Sequence, residues 1–164
     1  MMIHAHARWR DFPMRIAGDG HGIRALLPGG KAETLAELRA RFPHAKMEPG
    51  TLPAFDAALA CLEVGKIMML PLRPQGTPFQ ESVWRALMKI PLGKTSTYAA
   101  LAASIGRPKA ARAVAAACAA NPIAILIPCH RVIGSDGSLS GYRWGIELKK
   151  RLLEWEQSRP TTER

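Results

Sequence analysis

The chain has 164 residues, 48% of them hydrophobic and 22% charged, which suits one sizeable core or two small ones and excludes a disordered chain. Lys and Arg outnumber Asp and Glu by 23 to 13, giving +10; this points to a polyanionic partner, nucleic acid before an acidic membrane surface, since no basic amphipathic helix with bulky apolar residues is evident. MMIHAHARWR lacks the apolar stretch of a secretory signal and no run approaches the roughly 20 apolar residues of a membrane span, so a soluble intracellular protein is expected.

In chain order, His4 and His6 sit in a segment expected to be a mobile N-terminus rather than a metal site. Residues 11–28 read as two short strands around GDGHG, where glycine supplies the positive φ of a hairpin turn. KAETLAELRARF follows with Leu35, Leu38 and Phe42 at helical spacing, and residues 45–51 suit another strand. LPAFDAALACLEVG reads as a helix with Pro53 in its first turn and Gly65 at its end. IMMLPLRPQGTP, residues 67–78, is punctuated by proline and glycine and reads as a linker, with a domain boundary near residue 75.

Beyond that boundary the pattern is helical. PFQESVWRALMKI begins at Pro78, places Phe79, Val83, Trp84 and Leu87 at helical intervals and stops before Pro91. TSTYAALAASIG carries a Thr or Ser cap and a terminal Gly106, and RPKAARAVAAACAANP predicts a third helix from Pro108 to the Asn121 and Pro122 pair. Two helices joined by a short Gly-containing turn, the second with Arg and Lys near its start, outline a helix-turn-helix. Its run of alanines either packs closely on a neighbouring helix or leaves a bare face on which Arg112 is the one long arm.

Cys61, Cys118 and Cys129 are odd in number and lack CxxC spacing, so free thiols are expected, with neither a disulfide framework nor a zinc cluster. AILI before Pro128 reads as a short buried strand or extended segment that leaves the core at Pro128 and turns at Cys129. Cys129 is then either a small buried hydrophobe or a nucleophile. A nucleophilic thiol, with an ordinary pKa of about 8.5, wants a base or a positive charge close by, and His130 and Arg131 are adjacent. Neighbouring side chains diverge, so a water between thiol and imidazole is favoured over direct contact. Asp136, Glu147, Glu154 and Glu156 are all candidates to orient the base.

IPCHRVIGSDGSLSGYRWG, followed by KKRLLEWE, closely resembles the active-site segment of the O6-alkylguanine-DNA alkyltransferases, the methylated-DNA-protein-cysteine methyltransferases. The resemblance extends upstream through FQESVWRALMKIPLGKTSTYAALA and RPKAARAVAAACAANP, covers residues 77–156, and is nearest the alkyltransferase half of Ada-type proteins. It implies an α+β fold: a small ribonuclease H-like α/β domain over residues 1–75, matched only in its order of elements, and a mainly helical, winged helix-turn-helix-like alkyltransferase domain over 76–164. The implied activity is flipping of O6-alkylguanine out of duplex DNA and irreversible transfer of its alkyl group to the protein's own cysteine, once per molecule.

The resemblance also implies the site. Cys129 matches the acceptor, His130 the base acting through water, Glu156 the orienting acid and Asn121 a hinge before the active-site strand. Tyr98 matches a tyrosine serving the flipped guanine, the carbonyls of Cys129 and Val132 match acceptors for its exocyclic amine, and Tyr142 with the Arg143 amide matches the closing loop. Arg112 matches the arginine that enters the base stack from a helix lying in the minor groove, with Ala113, Ala116, Arg107 and Lys109 as further DNA-binding residues. No cofactor and no metal are expected; the partner is double-stranded DNA, and the protein is a cytoplasmic, nucleoid-associated monomer. The zinc-bearing phosphotriester domain of full Ada proteins has no counterpart, so phosphotriester sensing is not expected. Non-catalytic lesion binding, gene regulation without chemistry, and a thiol hydrolase on small esters are the competing readings.

Overall fold

The computed structural model describes residues 1–65, 69–139 and 141–159. It divides into two compact units, one of residues 1–75 with 122–126, the other of residues 76–121 and from 127 onward. Of the linker expected over 67–78, residues 67 and 68 lie outside the described residues.

The first unit is a four-stranded mixed sheet with two helices. Strands β1 (Met2–Trp9), β2 (Phe12–Asp19), β3 (Gly22–Pro28) and β4 (Met47–Pro49) lie in the order β3-β2-β1-β4, with β4 parallel to β1 and the other pairs antiparallel. Central strand β2 is buried from Met14 to Gly18, as expected of a strand covered on both faces. Gly18 stands at a register shift in the β2–β3 pair, where a Cβ would approach the Gly22 carbonyl oxygen to 2.5 Å, so only glycine fits this bulge. Helix α1 (Lys31–Arg41) packs on β2 and β3, and α2 (Pro53–Val64) on β1 and β3. Pro53 opens α2 and Gly65 closes it at φ 74°, the left-handed stop that glycine adopts without a Cβ penalty.

The N-terminus is a strand, not the mobile segment expected from its sequence. His4 is buried because Arg15 Nη1 bonds its Nδ1 at 2.8 Å, so an imidazole takes a core position that an apolar side chain would otherwise fill. The outer edge of β3 is covered by two extended pieces: Ile23 bonds Pro71 and Arg73, and Leu26 bonds Pro122 and Ala124. This pairing satisfies backbone groups that an edge strand would leave open.

The second unit holds helices α3 (Pro78–Leu87), α4 (Tyr98–Ser104), α5 (Ala111–Ala119) and α6 (Ile146–Gln157), with β5 (Ser96–Thr97) pairing in parallel with β6 (Val132–Ile133). Thr77 and Gln80 close a capping box on α3, and Thr97 caps α4 by accepting from the Ala100 amide. Trp84 Nε1 donates to the Ala117 carbonyl at 2.9 Å, tying α3 to α5.

Two expectations are corrected here. Helix α5 starts at Ala111 rather than Pro108, because residues 107–110 form a turn closed by the Ala110 amide on the Arg107 carbonyl at 2.9 Å. AILI is buried, but it is a turn and not a strand, since Ile125 at φ 69° breaks the extended backbone. Among the described residues no helix is long and apolar enough to cross a membrane.

Candidate active site

Helix α5 ends at Ala119, Asn121 follows its cap, and the chain re-enters the second unit at Ile127, one residue before Pro128 and the 3₁₀ turn Cys129–Arg131. Cys129, His130 and Arg131 are all buried, so the thiol stands within the core and not, as expected, at a rim where the chain leaves it. Asn121, fully buried, holds the turn by donating from Nδ2 to the Ile127 carbonyl at 2.9 Å and to Cys129 Sγ at 3.3 Å. Burial pushes the thiol up to about 11, against the Asn121 hydrogen bond and the Lys149 charge, which favour the thiolate.

The acid left open among four candidates is placed by α6. Glu156 Oε1 lies 2.7 Å from His130 Nε2, while Glu154 is exposed. Burial alone would raise the Glu156 carboxyl, yet the bonds and charges of His130 and Arg131 pull it down to about 2. The ionised carboxylate only accepts, so Nε2 carries the imidazole proton and Nδ1 is the unprotonated nitrogen. That Nδ1 is buried and has no hydrogen-bond partner among the described residues. His130 is held below its ordinary range by burial first, partly offset by Glu156.

Arg131 serves differently from the role its position beside the cysteine suggested. Its Nε and Nη2 grip Glu156 at 2.9 Å each, and Nη1 donates to the Ile90 carbonyl at 2.7 Å. The guanidinium braces the acid and does not pair with the thiol. The cation that acts on the thiol is Lys149, which sequence reasoning missed. It is fully buried, donates from Nζ to the Val132 carbonyl at 2.6 Å and lies 6.0 Å from the Tyr142 ring centroid. The signal was present: Lys149, Leu152 and Glu156 share one helical stripe, so a period that buries the acid also buries this lysine.

The remaining expected residues fall into two groups. Around the thiol, Tyr98 donates to the Gly141 carbonyl at 3.4 Å, and Tyr142 is buried with its hydroxyl unpartnered among the described residues and its ring edge-on to Trp144 at 5.5 Å. Both phenols are pushed up by burial first, then by Cys118 and Cys129 at Tyr98 and by Cys129 and Glu156 at Tyr142. The Val132 carbonyl already accepts from Lys149, and the Cys129 carbonyl from the Val132 amide; each keeps one further lone pair. On α5, Arg112, Ala113, Ala116 and Ala119 are exposed, whereas Val114, Ala117 and Cys118 are buried. Arg143 is exposed and reaches the Ala119 carbonyl at 3.4 Å. Arg107 and Lys109 are exposed in the turn before α5, with Arg107 5.7 Å above the Phe79 ring. Cys118 is buried and pushed up to about 12, an inert thiol at neutral pH.

A family model described as 6-O-methylguanine DNA methyltransferase, DNA binding domain, matches residues 78–158. A methylated-DNA–protein-cysteine methyltransferase of Methanosarcina barkeri is 58% identical over 163 residues, covering 89% of this chain and 91% of its own. The bifunctional transcriptional activator/DNA repair enzyme Ada of Escherichia coli is 47% identical over 146 residues; the match covers 86% of this chain but spans only 41% of that protein. Among solved structures, Mycobacterium tuberculosis OGT in complex with DNA superposes with TM-score 0.80 at 37% identity, covering 95% of this chain and 93% of that one.

Proposed function

The chain belongs to the methylated-DNA–protein-cysteine methyltransferase family, and from that premise we propose that it repairs O6-alkylguanine in duplex DNA by moving the alkyl group onto Cys129, once per molecule. The observation that carries this reading is the buried relay beside the thiol: Glu156 bonded to His130 at 2.7 Å, an imidazole nitrogen left over, and Asn121 3.3 Å from the sulfur.

The chemistry follows from those atoms. The thiol passes its proton, through a water, to His130 Nδ1, and Glu156 steadies the imidazolium. The sulfur attacks the alkyl carbon in line; a C–S bond forms, the bond to O6 breaks, and its electrons go to guanine. Hydroxyl and amide donors of Tyr98, Tyr142 and the Arg143 backbone meet the charge developing on the base. Remaining lone pairs of the Cys129 and Val132 carbonyls receive the exocyclic amine. The thioether is stable and nothing regenerates the thiol, hence a single turnover.

The exposed alanine face of α5 lets the helix backbone approach the minor groove closely. Arg112 fills the stack left by the flipped base, and Arg107 and Lys109 bind phosphates. Flipping costs a few kcal/mol, least for an alkylated base that pairs poorly. In this reading residues 1–75 form a ribonuclease H-like domain and residues 76–164 a winged helix-turn-helix alkyltransferase domain. The protein acts as a monomer in the cytoplasm, on nucleoid DNA, and needs no cofactor.

Incubation with duplex carrying labelled O6-methylguanine tests the proposal: one methyl per chain appears on the Cys129 peptide by mass. Binding without mass gain sinks it. Arg112→Ala lowers repair of duplex by a factor of roughly 10 to 100 while leaving reaction with free O6-benzylguanine intact, as loss of a base-stack contact of about 1–3 kcal/mol requires; equal losses refute its flipping role.

A further inference from the structure

A cleft of about 360 Å³ opens between α3 and α4 in the second unit, away from the thiol. Trp84 marks the side of α3 that bonds α5; Ser82, Arg85 and Ala86 line the cleft and stand roughly 100° to 200° around the helix from it, and Lys89 joins them from the turn after α3. On α4, Ala100 and Ser104 line the cleft at roughly 200° and 240° from Tyr98. Neither Cys129 nor any residue of the exposed α5 face is among its lining residues.

The cleft is built in two chemistries. Its floor is apolar, with Ile90 and Leu101 almost wholly buried beneath it. One wall carries Arg85 on α3 and Lys89 in the turn just after it, both exposed and neither paired with a carboxylate among the described residues. Ser96 adds a hydroxyl at the mouth, and no Asp or Glu is among the lining residues. A concave site of this size accommodates side chains or a small ligand, not the convex rod of a duplex. A second copy of the chain, at +10, is repelled.

We propose that this cleft docks an acidic peptide segment of a partner protein bearing an apolar anchor. Its carboxylates pair with Arg85 and Lys89, and the anchor packs on Leu101 and Ile90. Two cations over a buried apolar floor select that combination: a purely acidic ligand gains only screened rim contacts, and a purely apolar one leaves both cations without partners.

Fluorescence anisotropy of a fluorescein-labelled Glu-Glu-Leu-Glu-Phe-Glu peptide tests this at low salt. Saturable binding is expected, weakened roughly tenfold in the Arg85→Glu, Lys89→Glu double variant, and equally by Ala100→Trp, which fills the cleft without changing charge. Both variants alter exposed positions, and unchanged thermal melting shows that they fold. The proposal fails if the variants bind the peptide as the parent does, if serine in place of Leu and Phe in the peptide makes no difference, or if undamaged duplex DNA displaces the peptide and loses affinity in parallel with it.

Discussion

Each unit buries an arginine beside histidine, and the two settings differ in what lies between the charges. In the sheet unit, Arg15 on β2 reaches Thr34 Oγ1 at 3.1 Å, His4 Nδ1 at 2.8 Å, His6 Nε2 at 3.4 Å and the Lys31 carbonyl at 2.8 Å, with only neutral acceptors around it. In the helical unit, a carboxylate stands at the centre, and Arg131 and His130 both point at Glu156. Burial, then the Arg15 charge, holds His4 and His6 below their ordinary range. A buried cation held by neutral acceptors is a packing device. The same cation on a shared acid fixes which imidazole nitrogen keeps the proton and leaves the other ready to take one.

Removing the acid breaks the contrast most sharply. Glu156→Ala abolishes alkyl transfer and costs about 3–5 kcal/mol in denaturant unfolding, because the Arg131 cation and the His130 N–H lose their shared buried partner; a loss below about 1 kcal/mol would reduce Glu156 to a surface-like pair. Acid titration reads the same group. Its carboxyl falls from 4.5 to about 2 on folding, so its stabilisation is complete above pH 4.5 and lost as pH drops toward 2.

The relay itself comes next. His130→Gln slows transfer to free O6-benzylguanine about 10²- to 10⁴-fold at neutral pH, and the rate then climbs with pH toward the thiol's value of about 11. With His130 present the rate is level through neutrality and falls only in acid, below the ordinary imidazole value of 6.5, as the lowered nitrogen becomes occupied. Matching pH profiles for parent and variant would remove His130 from the proton path.

Methylation of Cys129 is a smaller perturbation. A methyl forced onto the sulfur of Cys129, a residue 4% exposed, with the Asn121 bond disturbed, costs about 1–3 kcal/mol and lowers the melting temperature; an unchanged or raised value contradicts this packing.

The smallest effect belongs to the sheet unit. Arg15→Met costs about 1 kcal/mol, because the buried His4 Nδ1 loses its donor while no charged acid is orphaned, and transfer is unaffected. The histidines supply stability that is full above pH 6.5 and declines below it, because the unfolded chain binds the protons they resist. Without the Arg15 charge that decline is shallower, which melting curves at pH 5 and 7.5 would reveal.

Local punctuation made most elements legible. Pro53 and Gly65, Pro78, and a Thr cap before Tyr98 act within a few residues, so the sequence alone marks both ends of α2 and the starts of α3 and α4, while α3 stops at Leu87, short of the expected end before Pro91. What escaped depends on partners distant in sequence. Strand β1 was hidden because His4 looks polar until Arg15 buries it. AILI has the same apolar run whether it forms a strand or a buried turn, and the left-handed Ile125 that decides the matter has no sequence mark of its own. In the site, Cys129, His130 and Glu156 were legible through a family resemblance; from spacing alone, four acids remained open. Lys149 was lost among neighbouring basic residues, although its helical stripe held the clue.

The short piece of chain from Pro122 to Leu126 carries one more consequence. Its backbone is hydrogen bonded to Leu26 through Pro122 and Ala124, so the stretch just ahead of the nucleophile is completed by a strand made near the start of the chain. Such non-local pairing pays loop-closure entropy before it gains any contact. A nascent chain that has emerged only as far as α5 therefore carries every residue of the sheet but no organised nucleophile. Chemical competence arrives with the last third of synthesis, all at once.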